Sequence, residues 1–147
     1  MAAITNKNAT AETKKLIDND QVFHVRTRFT AAQIDAGSTL LPALIAQKYR
    51  IVDMAMIAIG GAVTGATDVR ILGTQAAASA ALLIAAIAGL TQNTLLRAGA
   101  ANATIIAGGL SFVANDVNTA ITVGKTGGAV ATATHVDFLV SYVVDDA

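Results

Sequence analysis

Residues 135–144, HVDFLVSYVV, decide the fold. Val136, Phe138, Val140, Tyr142 and Val144 recur at every second position, so in an extended chain they share one face and turn it to a core. Upstream, Ala120–Val123 and the glycine-marked stretch Gly124–Gly128 read as the first strand and the turn of an antiparallel hairpin that this segment closes. Gly124, Lys125 and Thr126 match the end of a phosphate-binding Walker loop. Thr119, however, stands where the leading glycine belongs, and the segment turns between strands instead of opening a helix whose N-terminus would face a phosphate.

The same period of two reappears near the other end. Phe23, Val25, Thr27 and Phe29 fall on one face and His24, Arg26 and Arg28 on the other, the pattern of a half-buried strand. Arg50–Ile59 is apolar on both faces, with Ile51, Ala55, Ile57 and Ile59 on one and Val52, Met54 and Met56 on the other, which predicts a strand covered from two sides. Between these, Thr30–Gln47 reads as irregular around Gly37, Ser38 and Pro42, with a short helical turn. Gly60, Gly61 and Gly65 read as a turn cluster without dinucleotide-motif spacing. A short β-branched run over Asp68–Leu72 follows, ended by Gly73 and Thr74. Ala76–Leu90 is open between helix, favoured by its alanines, and sheet, favoured by Ile84 and Ile87; strand is expected over Leu82–Ile87. Leu95–Leu96, Ile105–Ile106 and Leu110–Val113 read as short strands between glycine turns at Gly99 and Gly108–Gly109. Many short strands without strand–helix alternation predict a mainly β, jelly-roll-like β-sandwich over residues 21–147. Residues 1–20 carry Ala, Thr, Asn and Lys with no period and are expected to form an extended or flexible N-terminal arm that orders only against something else.

Composition narrows the function. The chain has 147 residues, 54% hydrophobic but only 4% aromatic, so its apolar share is mostly Ala, Val, Ile and Leu, which let backbones approach closely. Ten Lys and Arg balance ten Asp and Glu. A net charge of zero lacks the positive field that nucleic-acid and anionic-membrane binders use, so neither partner is expected. With no cysteine, disulfides, thiolate metal sites and cysteine nucleophiles are excluded. Met1–Asp20 is too polar for a signal peptide, and Ala76–Leu90 is shorter than the roughly 20 strongly apolar residues that a bilayer span needs.

Catalytic chemistry is sparse. Glu12 is the one glutamate. His24 and His135 would hold a metal with Asp53 or Asp137 if the fold brought them together; the plainer reading leaves both on solvent-facing sides of strands. No serine lies in a nucleophile elbow. No enzyme activity, cofactor or metal is therefore expected. From Ile71 to Asn115 Arg97 is the one charged residue, and such uncharged surface marks an association site; a merely neutral, soluble Ala/Thr/Asn/Ser surface is the rival reading.

The polar arm, the strand ending Arg26, Thr27, Arg28 and Phe29, the Gly/Ala/Thr-rich middle and the closing Ala120–Val123 and His135–Val144 strands resemble, over most of the chain, the small capsid decoration (cement) proteins of tailed bacteriophages. The resemblance implies a jelly-roll-like fold and a homo-oligomer on the capsid exterior of the virion. It also implies the major capsid protein as partner and a shell stabilised against internal DNA pressure. On that reading Ile71–Asn115 supplies the subunit seam and the arm, with Lys14 and Lys15, clamps the lattice. Arg26, Arg28, Arg50 and Arg97 are the further capsid or subunit contacts, and a trimer is slightly favoured over a dimer. The alternative is a jelly-roll receptor- or carbohydrate-binding virion protein, but sugar sites stack rings on aromatics, and the chain has no Trp and two Tyr.

Overall fold

A computed structural model describes residues 21–147; the predicted arm, with Lys14 and Lys15, lies outside them. In chain order the strands are β1 (Phe23–Thr30), β2 (Thr39–Leu41), β3 (Gln47–Ile59), β4 (Val63–Gln75), β5 (Ala78–Ala86), β6 (Leu95–Arg97), β7 (Ala103–Ile105), β8 (Ile121–Thr132) and β9 (His135–Asp146). One α-helical turn, α1 (Ala31–Asp35), joins β1 to β2, and 3-10 turns occupy Ile87–Gly89 and Ala107–Phe112. Two antiparallel sheets pack face to face, with strand orders β1-β9-β3-β6 and β2-β8-β4-β5-β7.

That order is a jelly roll. Leaving β7 aside, the hydrogen-bonded pairs β1/β9, β2/β8, β3/β6 and β4/β5 form one long antiparallel ribbon with its tip at β4–β5, wound so that alternate pairs fall in opposite sheets. The sandwich expected from the sequence is present. The closing hairpin is not: β8 and β9 lie in different sheets, and Gly124–Gly128 is part of β8. What reads as a turn is a strand crossing a close approach. Gly65 and Gly127 have φ of +83° and +81°, and the β4–β8 register slips on either side of Ala66. A Cβ on Gly65 would stand 2.2 Å from the Ala129 carbonyl oxygen. Gly65 is likewise inside β4, outside any turn, and β4 runs past Gly73 and Thr74 to Gln75.

The core is the inward face of both sheets. Phe29 meets Phe138 edge to face at 5.7 Å between ring centres, and Ile51, Met54, Met56, Val69, Ile71, Leu82, Leu83, Ile121 and Val123 are buried around them. In β3 the expected facing is altered by a bulge: Ile51 pairs with Tyr142 and Asp53 with Ser141, leaving Val52 unpaired between them. Ile51, Met54 and Met56 all reach the core in consequence, while Val52 is 48% exposed. The Ala76–Leu90 segment is a strand, β5, starting earlier than expected and giving way to a 3-10 turn at Ile87. Leu110–Val113 is not a strand; Gly108 and Gly109, with φ of 70° and 76°, kink a 3-10 turn there instead.

Candidate interaction surface

The predicted contact arginines sit on the outer face of the β1-β9-β3-β6 sheet, and each described one is held within the chain. Register places Arg28 opposite Asp137, with Arg26 two positions along on the same face. Arg26 donates from Nε to Asp137 at 2.9 Å, and Arg28 donates from Nε at 2.8 Å and from Nη2 at 3.2 Å. The Asp137 side chain is 1% exposed beneath arginines that are 56% and 51% exposed. The hydrogen bonds from Arg28, then those from Arg26, outweigh burial and hold the Asp137 carboxyl below its ordinary 3.8. Arg50 pairs with Asp145 at 2.8 Å and Arg97 with Asp53 at 2.7 Å.

On the other sheet, Arg70 pairs with Asp68 at 2.8 Å. Burial pushes the Asp68 carboxyl up, and the bonds from Arg70 and Thr126 overcome it, so the group titrates below its ordinary value. Lys125 folds onto the carbonyls of Gly127 and Gly128 at 2.9 and 3.0 Å, a lysine holding its own strand in place of a phosphate.

The two histidines do not meet. His24 pairs in register with Ser141 and His135 with Thr30, six positions apart on one ladder, or roughly 20 Å at strand rise. Among the described residues no three His, Asp or Glu side chains converge as a metal site would need. No helix among them is long and apolar enough to cross a membrane.

With the charges paired, the exposed apolar side chains become the distinguishing surface. They are Val22, Ile45, Val52, Leu95, Leu110 and Val113. Four of these belong to one flank, the side of β3 away from β9. There β6 pairs with Ala55–Ile57 and carries Leu95 outward. Beyond β6 the chain after the second 3-10 turn runs back along β3: Ala114 bridges to Arg50, and the Asn115 and Asn118 amides donate to the Tyr49 and Gln47 carbonyls. That path brings Val113 past the bulged Val52, while Leu110 stands on the preceding 3-10 turn, its carbonyl accepting from Gln75 Nε2 at 2.8 Å. Ile45 stands at the head of β3, where Asn118 Oδ1 accepts from the Ala46 amide at 2.6 Å. Around the corner, a hollow of about 280 Å³ on the outer sheet face is lined by Asp53, Ala55, Leu95, Arg97, Leu139 and Ser141.

Leu95, Leu110 and Val113 belong to the uncharged Ile71–Asn115 stretch; Val52 and Ile45 were not foreseen, because a bulge and a loop expose them. Much of that stretch, including Ile71, Leu82, Leu83, Leu90 and Ala103, is core, so its lack of charge reflects burial as well as surface. An apolar row flanked by internally neutralised ion pairs is suited to packing against protein and offers no convergent acid, base or nucleophile. No family model, no curated protein and no solved structure matches this chain, so its function is argued from that surface.

Proposed function

We propose that this chain is a structural virion protein that binds the outside of a phage capsid as a homo-oligomer and stabilises the shell. The apolar flank of Val52, Leu95, Leu110 and Val113 carries the reading, because a row of exposed aliphatic side chains beside neutralised charges is what a subunit seam requires. The jelly roll and the resemblance to decoration proteins support it. In this scheme the flank joins protomers, with a closed trimer slightly ahead of a dimer, and residues 1–20 engage the capsid. Each contact is weak alone, and several made at once on a repetitive lattice gain from effective concentration.

Light scattering on size-separated protein tests the seam: an oligomer is expected that falls to monomer when Leu110→Ser and Val113→Asp are combined. Co-sedimentation with capsids of a tailed phage, with and without residues 1–20, tests the attachment. A wild-type monomer that ignores capsids in both forms would sink the proposal.

A further inference from the structure

We infer that β1 is a docking edge, which takes an extended, carboxylate-bearing segment of a partner protein as a fifth strand of the β1-β9-β3-β6 sheet. This goes beyond the capsid reading and does not rest on it.

A strand at a sheet border presents unpaired N–H and C=O groups, and folds cover such borders. This one covers nearly all of its own. Along the outer side of β3, β6 is continued by amides of Asn93, Ala98, Asn115 and Asn118, which donate to carbonyls of Ala58, Met54, Tyr49 and Gln47 at 2.7 to 3.1 Å. Along β8, the Val123 amide donates to Ser38 and the Val130 amide to Asp35. Along β5, β7 is continued by the Ala86 amide bonding Asn102 and by Ser111 Oγ donating to the Leu82 carbonyl. The border strands β2, β6 and β7 have three residues each. β1 has eight, and among the described residues β9 is its one strand neighbour.

Charged side chains commonly guard such an edge. On β1 they lean the other way: His24 bonds Ser141, and Arg26 and Arg28 bond Asp137, all on β9. Among the described residues the backbone edge is left clear except at its end, where the Thr30 amide donates to Gln33 Oε1 at 2.9 Å. The side chains also set the occupant's chemistry. Two guanidiniums share one carboxylate, each using two of its five N–H groups, so this edge holds a surplus positive charge in a domain whose other pairs balance. A second β1 would set the same cationic row opposite itself, which is unfavourable across strands, whereas carboxylates at alternate positions would complement it. On the inner side Phe23 and Val25 are half-buried, which fits apolar residues at the intervening positions. The recognition mode is strand addition: main-chain bonds bind, alternate side chains select.

The test is amide exchange by NMR on the full chain, with an octapeptide alternating valine and glutamate as probe and its valine–lysine counterpart as control. In the free protein the outward amides of residues 23–29 should exchange fast. The glutamate peptide at ~10 times its Kd should slow them about tenfold, less so with added salt, and the lysine peptide should not. Proline at one of those outward amides leaves an edge strand folded and should abolish the protection. Protection elsewhere, by both peptides equally, or by neither, overturns the inference. So does an edge already protected in the free protein and freed by deleting residues 1–20 or by dilution, which would make the occupant this chain's own N-terminal segment or a second copy. Capsid co-sedimentation can fail without affecting any of these outcomes.

Discussion

Asp116 holds a turn that its own residues resist. The β4–β5 hairpin closes through Ala76 and Ala77, both at positive φ of 51° and 58°, the geometry that normally selects Asn-Gly. The Asp116 carboxylate accepts from both amides, at 3.1 and 2.7 Å. Asp116→Ala should therefore cost roughly 1–3 kcal/mol by loss of charge-assisted bonds, and Ala77→Gly should return about 1 kcal/mol of left-handed strain; both are read from urea midpoints. Asp137 predicts a pH dependence. Its carboxyl and that of Asp68 titrate below 3.8 in the folded chain, so the unfolded chain binds protons first as pH falls. Their stabilisation is complete above the ordinary carboxyl value and is lost as pH falls through the depressed folded values. Thermal melts should hold level from neutral pH down to about 5, then fall below about 4. Asp137→Asn should flatten part of that fall while costing about 1.5–2 kcal/mol at neutral pH, the low end for charged bonds because both arginines are half-exposed.

At the level of strands, two glycines with positive φ separate backbone need from crowding. Gly99, at φ +87°, has nothing within 4 Å of where a Cβ would stand, whereas Gly65 has a carbonyl at 2.2 Å. Gly99→Ala should cost about 1 kcal/mol of left-handed strain, and Gly65→Ala about 3 kcal/mol or more once overpacking is added, both measured by chemical denaturation. Gly65 also marks where a strand boundary escaped the sequence, whereas Gly99 is the turn glycine it was read as. Period-two patterns in 23–29 and 135–144 were legible because each strand has one face on the core and one outside. Gly124–Gly128 misled because glycine serves a strand crossing as well as a turn, and Ala76–Ala77 gave no turn signal because Asp116, 40 residues on, supplies the restraint. In β3 the bulge at Val52 shifts the register by one, so a strict alternation assigns half the strand to the wrong face.

For the whole molecule, fold class followed from many short strands, but which of them share a sheet did not, since long-range pairing leaves no local mark. The candidate surface was legible as a charge-free stretch; its outline was not, because Val52 and Ile45 come from elsewhere in the chain. If the apolar flank is the seam, self-association should change little between about 50 and 500 mM salt, since its neighbouring charges are already paired. Sedimentation at several salt concentrations checks this, and a steep dependence would point to electrostatic assembly. The pairing of first strand with last also bears on how the chain is made. His24 and Ser141, which bond each other, are 117 residues apart, so at ribosomal rates of about 5–20 residues per second β1 waits some 6–25 s for its partner to be synthesised. Throughout that interval both borders of β1 are unpaired, and it is the strand with the longest opportunity to be captured by another nascent chain.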